Sequence, residues 1–141
     1  MRWLWLPMLG GTVLLVVDAL ADGGVAAAAV YGLVGLALTW WLGPWQGGGG
    51  ARHAQVMERP PGEWGVVVYW RPGCVFCARL RARLGRAGHR ATWVDIWRDA
   101  EAAAFVRSVN EGNETVPTVV VDGRALTNPD PAHVRALLTA R

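Results

Sequence analysis

The chain contains no lysine. All fourteen basic residues are arginine, set against eleven acids for a net charge of +3. No stretch interleaves basic and aromatic residues, so a nucleic-acid-binding face is not expected. Cysteine is equally scarce: Cys74 and Cys77 are the only two. One polypeptide therefore cannot build a four-cysteine zinc or iron–sulfur site, and His53, His89 and His133 lack ligand spacing. No metal site is expected within one copy of the chain, although two copies could share a cluster. A structural staple is also disfavoured, because a disulfide across so short a loop removes little chain entropy. There are no internal repeats. The arginine-only basic set, with abundant alanine and glycine, reads as high-GC coding bias rather than as a functional signal.

Tryptophan, by contrast, is abundant, with nine in 141 residues. Trp3, Trp5, Trp40, Trp41 and Trp45 cluster at the ends of two apolar runs, as membrane interfaces favour. Residues 3–21 are almost wholly apolar, interrupted by Pro7, Gly10, Gly11 and Asp18, and residues 25–45 carry no charge. Each run is close to the roughly 20 residues that cross a bilayer. Both are apolar all round rather than on one face, which favours lipid over a soluble core as their surroundings. With Asp22-Gly23-Gly24 as the turn, residues 1–45 are expected to form a transmembrane hairpin of two spans in the cell membrane. Arg2 precedes the first run, Arg52 and Arg59 follow the second, and the turn holds only Asp22. The positive-inside rule then places both ends in the cytoplasm. Ala19-Leu20-Ala21 also fits a signal-peptide cleavage site. Cleavage there would leave the second span returning the chain to the same side.

Residues 46–63 read as a Gly/Pro-rich linker, opening on Gly47 to Gly50 and closing on Pro60-Pro61-Gly62. A flexible segment of that length has a reach of roughly 25 Å. No role is expected for His53.

From residue 64 to 141 the pattern is globular. Gly65 to Trp70 reads as a buried strand. Val75 to Gly85 reads as a helix with Arg79, Arg81, Arg83 and Arg86 outward and Phe76, Leu80 and Leu84 inward, stopped by Gly88. Arg90 to Ile96 is a second strand. Asp99 caps a helix over Ala100 to Asn110. Thr115 to Val121 and Arg124 to Leu126 form a hairpin about Asp122-Gly123. Asn128 and Pro129 suit the cap and first position of a last helix. The order is βαβαββα, with the first two strands parallel and the closing hairpin antiparallel.

Cys74 and Cys77 fall between the first strand and its helix. A Cys-x-x-Cys there reads as redox chemistry. The helix N-terminus presents unpaired N–H groups and partial positive charge, which favour a thiolate at Cys74. Cys77, one turn in, is placed to resolve a disulfide formed at Cys74.

This order, with Cys74-Val75-Phe76-Cys77 and with Thr115-Val116-Pro117-Thr118, resembles the thioredoxin-like fold and the glutaredoxin family. The Trp93 to Trp97 segment and Leu126-Thr127-Asn128-Pro129 are similar to the mycoredoxins, the actinobacterial branch that works with mycothiol. The resemblance implies a cis proline at Pro117 facing the cysteines. It implies a thiol–disulfide oxidoreductase with no bound cofactor. Cys74 would attack mixed disulfides between proteins and a low-molecular-weight thiol, with the small thiol and the thiolated protein as its partners. Val75 stands where many members carry proline, while Phe76 keeps the aromatic character. Thr127-Asn128 stands where glutathione-using members carry Gly-Gly, so the mycoredoxin resemblance implies mycothiol in preference to glutathione. Arg71 is a candidate to hold the thiolate. Phe76, Val116 and Pro117 are candidates for binding the thiol, with Asn128 and Asp130 at its polar end. Two alternatives stay open: a dithiol donor that needs both cysteines, and a dimeric iron–sulfur module. A scaffold in which the thiols are incidental is a third.

Overall fold

The computed structural model describes residues 5–43 and 50–140. Arg2 and Trp3, Trp45 and glycines 47–49 lie outside those residues. The chain divides into two compact units, Met1–Gln46 and Gly47–Arg141.

The first unit is a helical hairpin of α1 (Trp5–Ala21) and α2 (Val25–Leu42). Gly23, at φ +74°, makes the turn with a backbone that other residues rarely adopt. Among the described residues α2 alone is long and apolar enough to cross a membrane; α1, at 17 residues, is shorter than the expected run. Trp3 and Leu4, the first two residues of that run, lie outside the described residues. The hairpin buries small side chains, namely Thr12, Ala19, Ala28, Gly35 and Thr39. A Cβ on Gly35 would lie 2.7 Å from Thr12 Cβ, so glycine is what lets the helices meet there. The hydroxyls of Thr12 and Thr39 donate back to the carbonyls of Met8 and Gly35, each at 2.8 Å. The large apolar side chains point outward, with Leu14 72% and Leu33 73% exposed.

The second unit is built on β1 (Val66–Trp70), whose five residues are all buried. Its continuous β-branched and aromatic run is what a central strand covered on both faces requires. β1 pairs in parallel with β2 (Thr92–Asp95) and antiparallel with β3 (Thr118–Val121). β3 turns antiparallel into β4 (Arg124–Thr127), giving the order β2-β1-β3-β4. The alternation of β1 divides two cores. Val67 and Tyr69 pack with Val94, Ala102 and Val106, the last two from α5 (Ala100–Val109). Val66 and Val68 pack with Leu80 and Leu84 of α4 (Val75–Leu84) and with Val134 and Leu138 of α6 (Pro131–Thr139). This is the expected α/β, thioredoxin-like order.

Several boundaries differ from the sequence expectation. Gly85, at φ +53°, ends α4, and a 3₁₀ stretch runs on to Arg90, so Gly88 is not the stop. Asp130, not Asn128, caps α6, accepting from the Ala132 N–H at 3.2 Å, with Pro131 in the first turn. Two cap–proline pairs stand in series. The first is used otherwise, because Asn128 sits at φ +44° and gives its N–H to the Pro117 carbonyl at 2.8 Å. Phe76 is exposed, at 56%, because the buried stripe of α4 runs through Cys77, Leu80 and Leu84, one position off.

The expected linker is the largest correction. Its second half is structured and belongs to the redox unit, with a short helix α3 (His53–Met57) whose Val56 is buried in the core. His53 does have a role. Its N–H donates to Asp99 Oδ2 at 2.6 Å, and its Nδ1 meets the Tyr69 hydroxyl at 2.8 Å. Its ring lies 5.0 Å from that of Phe105. Asp99 thus caps α5 and anchors the preceding segment at once. Burial opposes its charge, but the N–H groups of His53, Ala102 and Glu101 outweigh that and hold its carboxyl below the usual range.

Candidate active site

β1 delivers the chain to Arg71-Pro72-Gly73, and Gly73 turns it at φ +73°. Cys74 then stands as the N-cap of α4, in the place an oxygen-bearing side chain usually takes. Its Sγ accepts the Cys77 N–H at 3.3 Å. When protonated, the same thiol donates to the Val116 carbonyl at 3.4 Å. The Val116–Pro117 peptide is cis, and it brings the Val116 carbonyl against the cysteine as the sequence led one to expect. Both cysteines are reduced; Cys74 is partly exposed and Cys77 buried.

The electrostatics separate the two thiols. Cys74 is lowered to about 6, first by the hydrogen bond from the Cys77 side chain. Burial acts against this, while the backbone N–H groups of Cys77 and Phe76 and the charge of Arg71 add to it. Cys77 is pushed far up, because its proton is held by Cys74 and its sulfur is buried. The helix start thus presents one thiolate and one retained proton. A thiolate on an accessible sulfur is what nucleophilic attack on a disulfide requires.

Around Cys74 the remaining candidates divide. Val116 is buried beside the sulfur, and Phe76 stands exposed two residues along. Phe76, Pro117, Asn128 and Asp130 line a single cleft of about 330 Å³, together with Arg79 and Pro129. Arg71 does not line it. Its guanidinium lies 5.9 Å from the Trp97 ring, and its charge is the smallest of the influences lowering Cys74. Among the described residues no group of three His, Cys, Asp or Glu side chains converges as a metal site would need.

Sequence reasoning missed Arg81. It was placed with the outward arginines, yet its guanidinium lies 4.5 Å from the Trp70 ring and 4.4 Å from the Trp93 ring. The signal was its spacing, four residues from Cys77 and so on the same face of α4. Burial between the indoles lowers its affinity for the proton, and the neighbouring Cys77 works the other way. Asn110 was also missed. Buried, it donates to Val106 O at 2.8 Å and Thr118 Oγ1 at 3.0 Å and accepts from the Thr127 hydroxyl. It ties α5 to β3 and β4 next to the Pro117 turn.

A Cys-x-x-Cys at the start of α4, facing a cis-proline turn across a four-stranded mixed sheet, defines a redox-active domain of the thioredoxin-like fold. The glutaredoxin family model matches residues 66–126. A Mycobacterium tuberculosis protein named as a glutaredoxin is 43% identical over 74 residues, 52% of this chain and 88% of that protein. Mycoredoxin 1 of Corynebacterium glutamicum is 40% identical over 76 residues, 53% of this chain and 94% of that protein. The chain belongs to the glutaredoxin family, close to the mycoredoxins, and is a thiol–disulfide oxidoreductase.

Proposed function

We propose that this chain is a membrane-anchored reductase of mixed disulfides between proteins and a low-molecular-weight thiol, of which mycothiol is the expected one. The observation that carries this reading is the asymmetry at the helix start, where Cys74 has a low pKa and is partly exposed while Cys77 is buried and protonated. The Cys74 thiolate attacks the sulfur of the small thiol in the mixed disulfide. The protein thiolate leaves, and Cys74 carries the small thiol. A second molecule of that thiol, as thiolate, then attacks this sulfur, releases its own disulfide and restores Cys74. The cleft along Phe76, Pro117, Asn128 and Asp130 holds the small thiol during both steps. With Cys74 occupied, Cys77 loses the charge and hydrogen bond that raise it, but its burial remains and keeps it a poor nucleophile. This supports resolution by an external thiol over resolution by Cys77.

Anchoring rests on the hairpin, with its apolar α2 and outward-facing large side chains. Both ends of the hairpin lie in the cytoplasm in this reading. The decisive comparison is the rate of small-thiol release from mycothiolated and glutathionylated forms of one peptide. Faster release of glutathione would remove mycothiol from the proposal. For topology, an impermeant maleimide should label Cys74 only after cell lysis; labelling in intact cells would reverse the orientation.

A further inference from the structure

The cleft beside Cys74 does not end at Asp130. Beyond it a second hollow of about 390 Å³ opens between α4 and α6, lined by Arg79, Arg83, Arg135 and Thr139 and sharing Arg79, Asp130 and Pro131 with the first. Three guanidinium groups face it, and Asp130 is the single acid in its wall. That carboxylate is already occupied in capping α6 through the Ala132 N–H. Arg79, Arg83 and Arg135 enter no ion pair among the described residues, where Arg107–Glu114 is the one pair found. Through these shared walls the two hollows adjoin, and the lining becomes basic away from Phe76 and Pro117, the residues nearest the active-site turn.

We propose that this basic extension binds an acidic segment of the target protein next to its disulfide-bearing cysteine, so that the enzyme selects substrates by local negative charge. The inference rests on the mixed-disulfide reading above and names the substrate class for it. A small thiol fills the space nearest Cys74, and the polypeptide that carries it must leave the site along the surface. The rise of α4 places Arg79 and Arg83 about 7.5 and 13.5 Å along the helix from Cys74. An extended peptide advances about 3.3 Å per residue, so carboxylates two and four residues from the reacting cysteine fall opposite them. Oppositely charged surfaces also speed encounter, and that gain fades with added salt.

The test uses the full chain in phosphatidylcholine nanodiscs and three peptides carrying the same small-thiol mixed disulfide. One has Glu two and four residues from the cysteine, one Gln and one Lys. The Glu peptide should show the highest kcat/KM, and added salt should bring the three together. In Arg83→Gln/Arg135→Gln the preference for Glu over Gln should fall about fivefold, as exposed ion pairs predict, with the Gln peptide unaffected. Equal rates for all three peptides in the wild-type protein would overturn the acidic-segment proposal and leave the reductase reading standing. No turnover of any peptide would sink that reading, and this inference with it. Adding phosphatidylglycerol to the nanodiscs distinguishes a lipid role. Rates that respond to lipid charge and the two arginines, but not to peptide charge, would overturn the proposal in favour of a membrane contact.

Discussion

Removing the Cys77 hydrogen bond while keeping the rest of the helix start should raise Cys74 and slow its first attack. The structure separates the contributions. The Cys77 side chain is the largest influence lowering Cys74, while the Cys77 and Phe76 N–H groups belong to the backbone and survive any substitution. Cys77→Ala deletes the donor; Cys77→Ser replaces it with a hydroxyl. A hydrogen bond to a charged group is worth about 1.5–3 kcal/mol, which is about one to two pKa units. From its value of about 6, Cys74 in Cys77→Ala should move to about 7–8. At pH 7 the thiolate fraction then falls from about 90% to about 10–50%, while Cys77→Ser stays near the wild type. The readouts are the pH profile of iodoacetamide alkylation and the ultraviolet absorbance of the thiolate, taken on the reduced proteins. Alanine and serine variants that titrate together, both at the wild-type value, would show that the backbone N–H groups set the pKa alone. Both shifted together would show that sulfur, rather than hydrogen bonding, is what matters.

Cys74→Ser should abolish release of the small thiol from a mixed disulfide, whereas Cys77→Ser should keep substantial turnover with that thiol supplied; equal loss in both would favour a dithiol mechanism. Because the folded-state pKa of Cys74 lies below that of the unfolded chain, the unfolded chain binds more protons between about 6 and 8.5, and the reduced protein should gain stability across that window as pH rises. That contribution is lost as pH falls through about 6, and the Cys74→Ser variant should show a flat urea midpoint over the same range. Asn110→Ala leaves the buried Thr118 hydroxyl without its amide partner and should cost about 1–3 kcal/mol in urea unfolding; a loss below a few tenths would show that Thr115 O alone satisfies Thr118.

The parts of this fold that were legible in the sequence are those set by local pattern. β1 announced itself through an unbroken Val-Val-Val-Tyr-Trp run, Cys74 through its place before a helical repeat, and Asp99 through the cap position it fills. What stayed hidden depends on contacts between segments far apart in the chain. His53 looked idle because its partners, Tyr69 and Asp99, lie 16 and 46 positions away. Arg81 was read by the rule that arginine faces water, yet the two tryptophans that flank it arrive on β1 and β2. Asn128-Pro129 was read as the start of the last helix, but Asp130-Pro131 offers the same local pattern two residues on, and local chemistry does not choose between them. The hairpin claimed the Asn128 N–H for Pro117, and Asp130 was left to start α6.

The two units follow opposite rules about their surroundings, and this is the strongest physical case for lipid around the first. In the redox unit Val75, Phe76 and Val109 are the exposed large apolar side chains described, and the first two directly follow Cys74. In the hairpin the order is inverted: Leu6, Val13, Leu14, Leu15, Val17 and Leu20 of α1 are exposed, as are Val25, Val30, Leu33, Val34, Leu36 and Leu38 of α2. Fully burying one such side chain gains about 1.5–3 kcal/mol, and these twelve are 42–73% exposed, so leaving them in water forfeits about 10–20 kcal/mol, comparable with the whole stability of an ordinary domain, about 5–15 kcal/mol. The pair cannot recover this by packing more tightly, because its contact face is already spent on Thr12, Ala28, Gly35 and Thr39. Small residues at a helix contact with large ones outside is the arrangement lipid favours, where close backbone approach, not apolar burial, holds helices together. The one charge within α1, Asp18, is exposed and four residues from the turn at Asp22, about 6 Å along the helix and near the polar interface. In the proposed membrane-anchored reading, lipid supplies the covering that the two helices of the hairpin do not give each other.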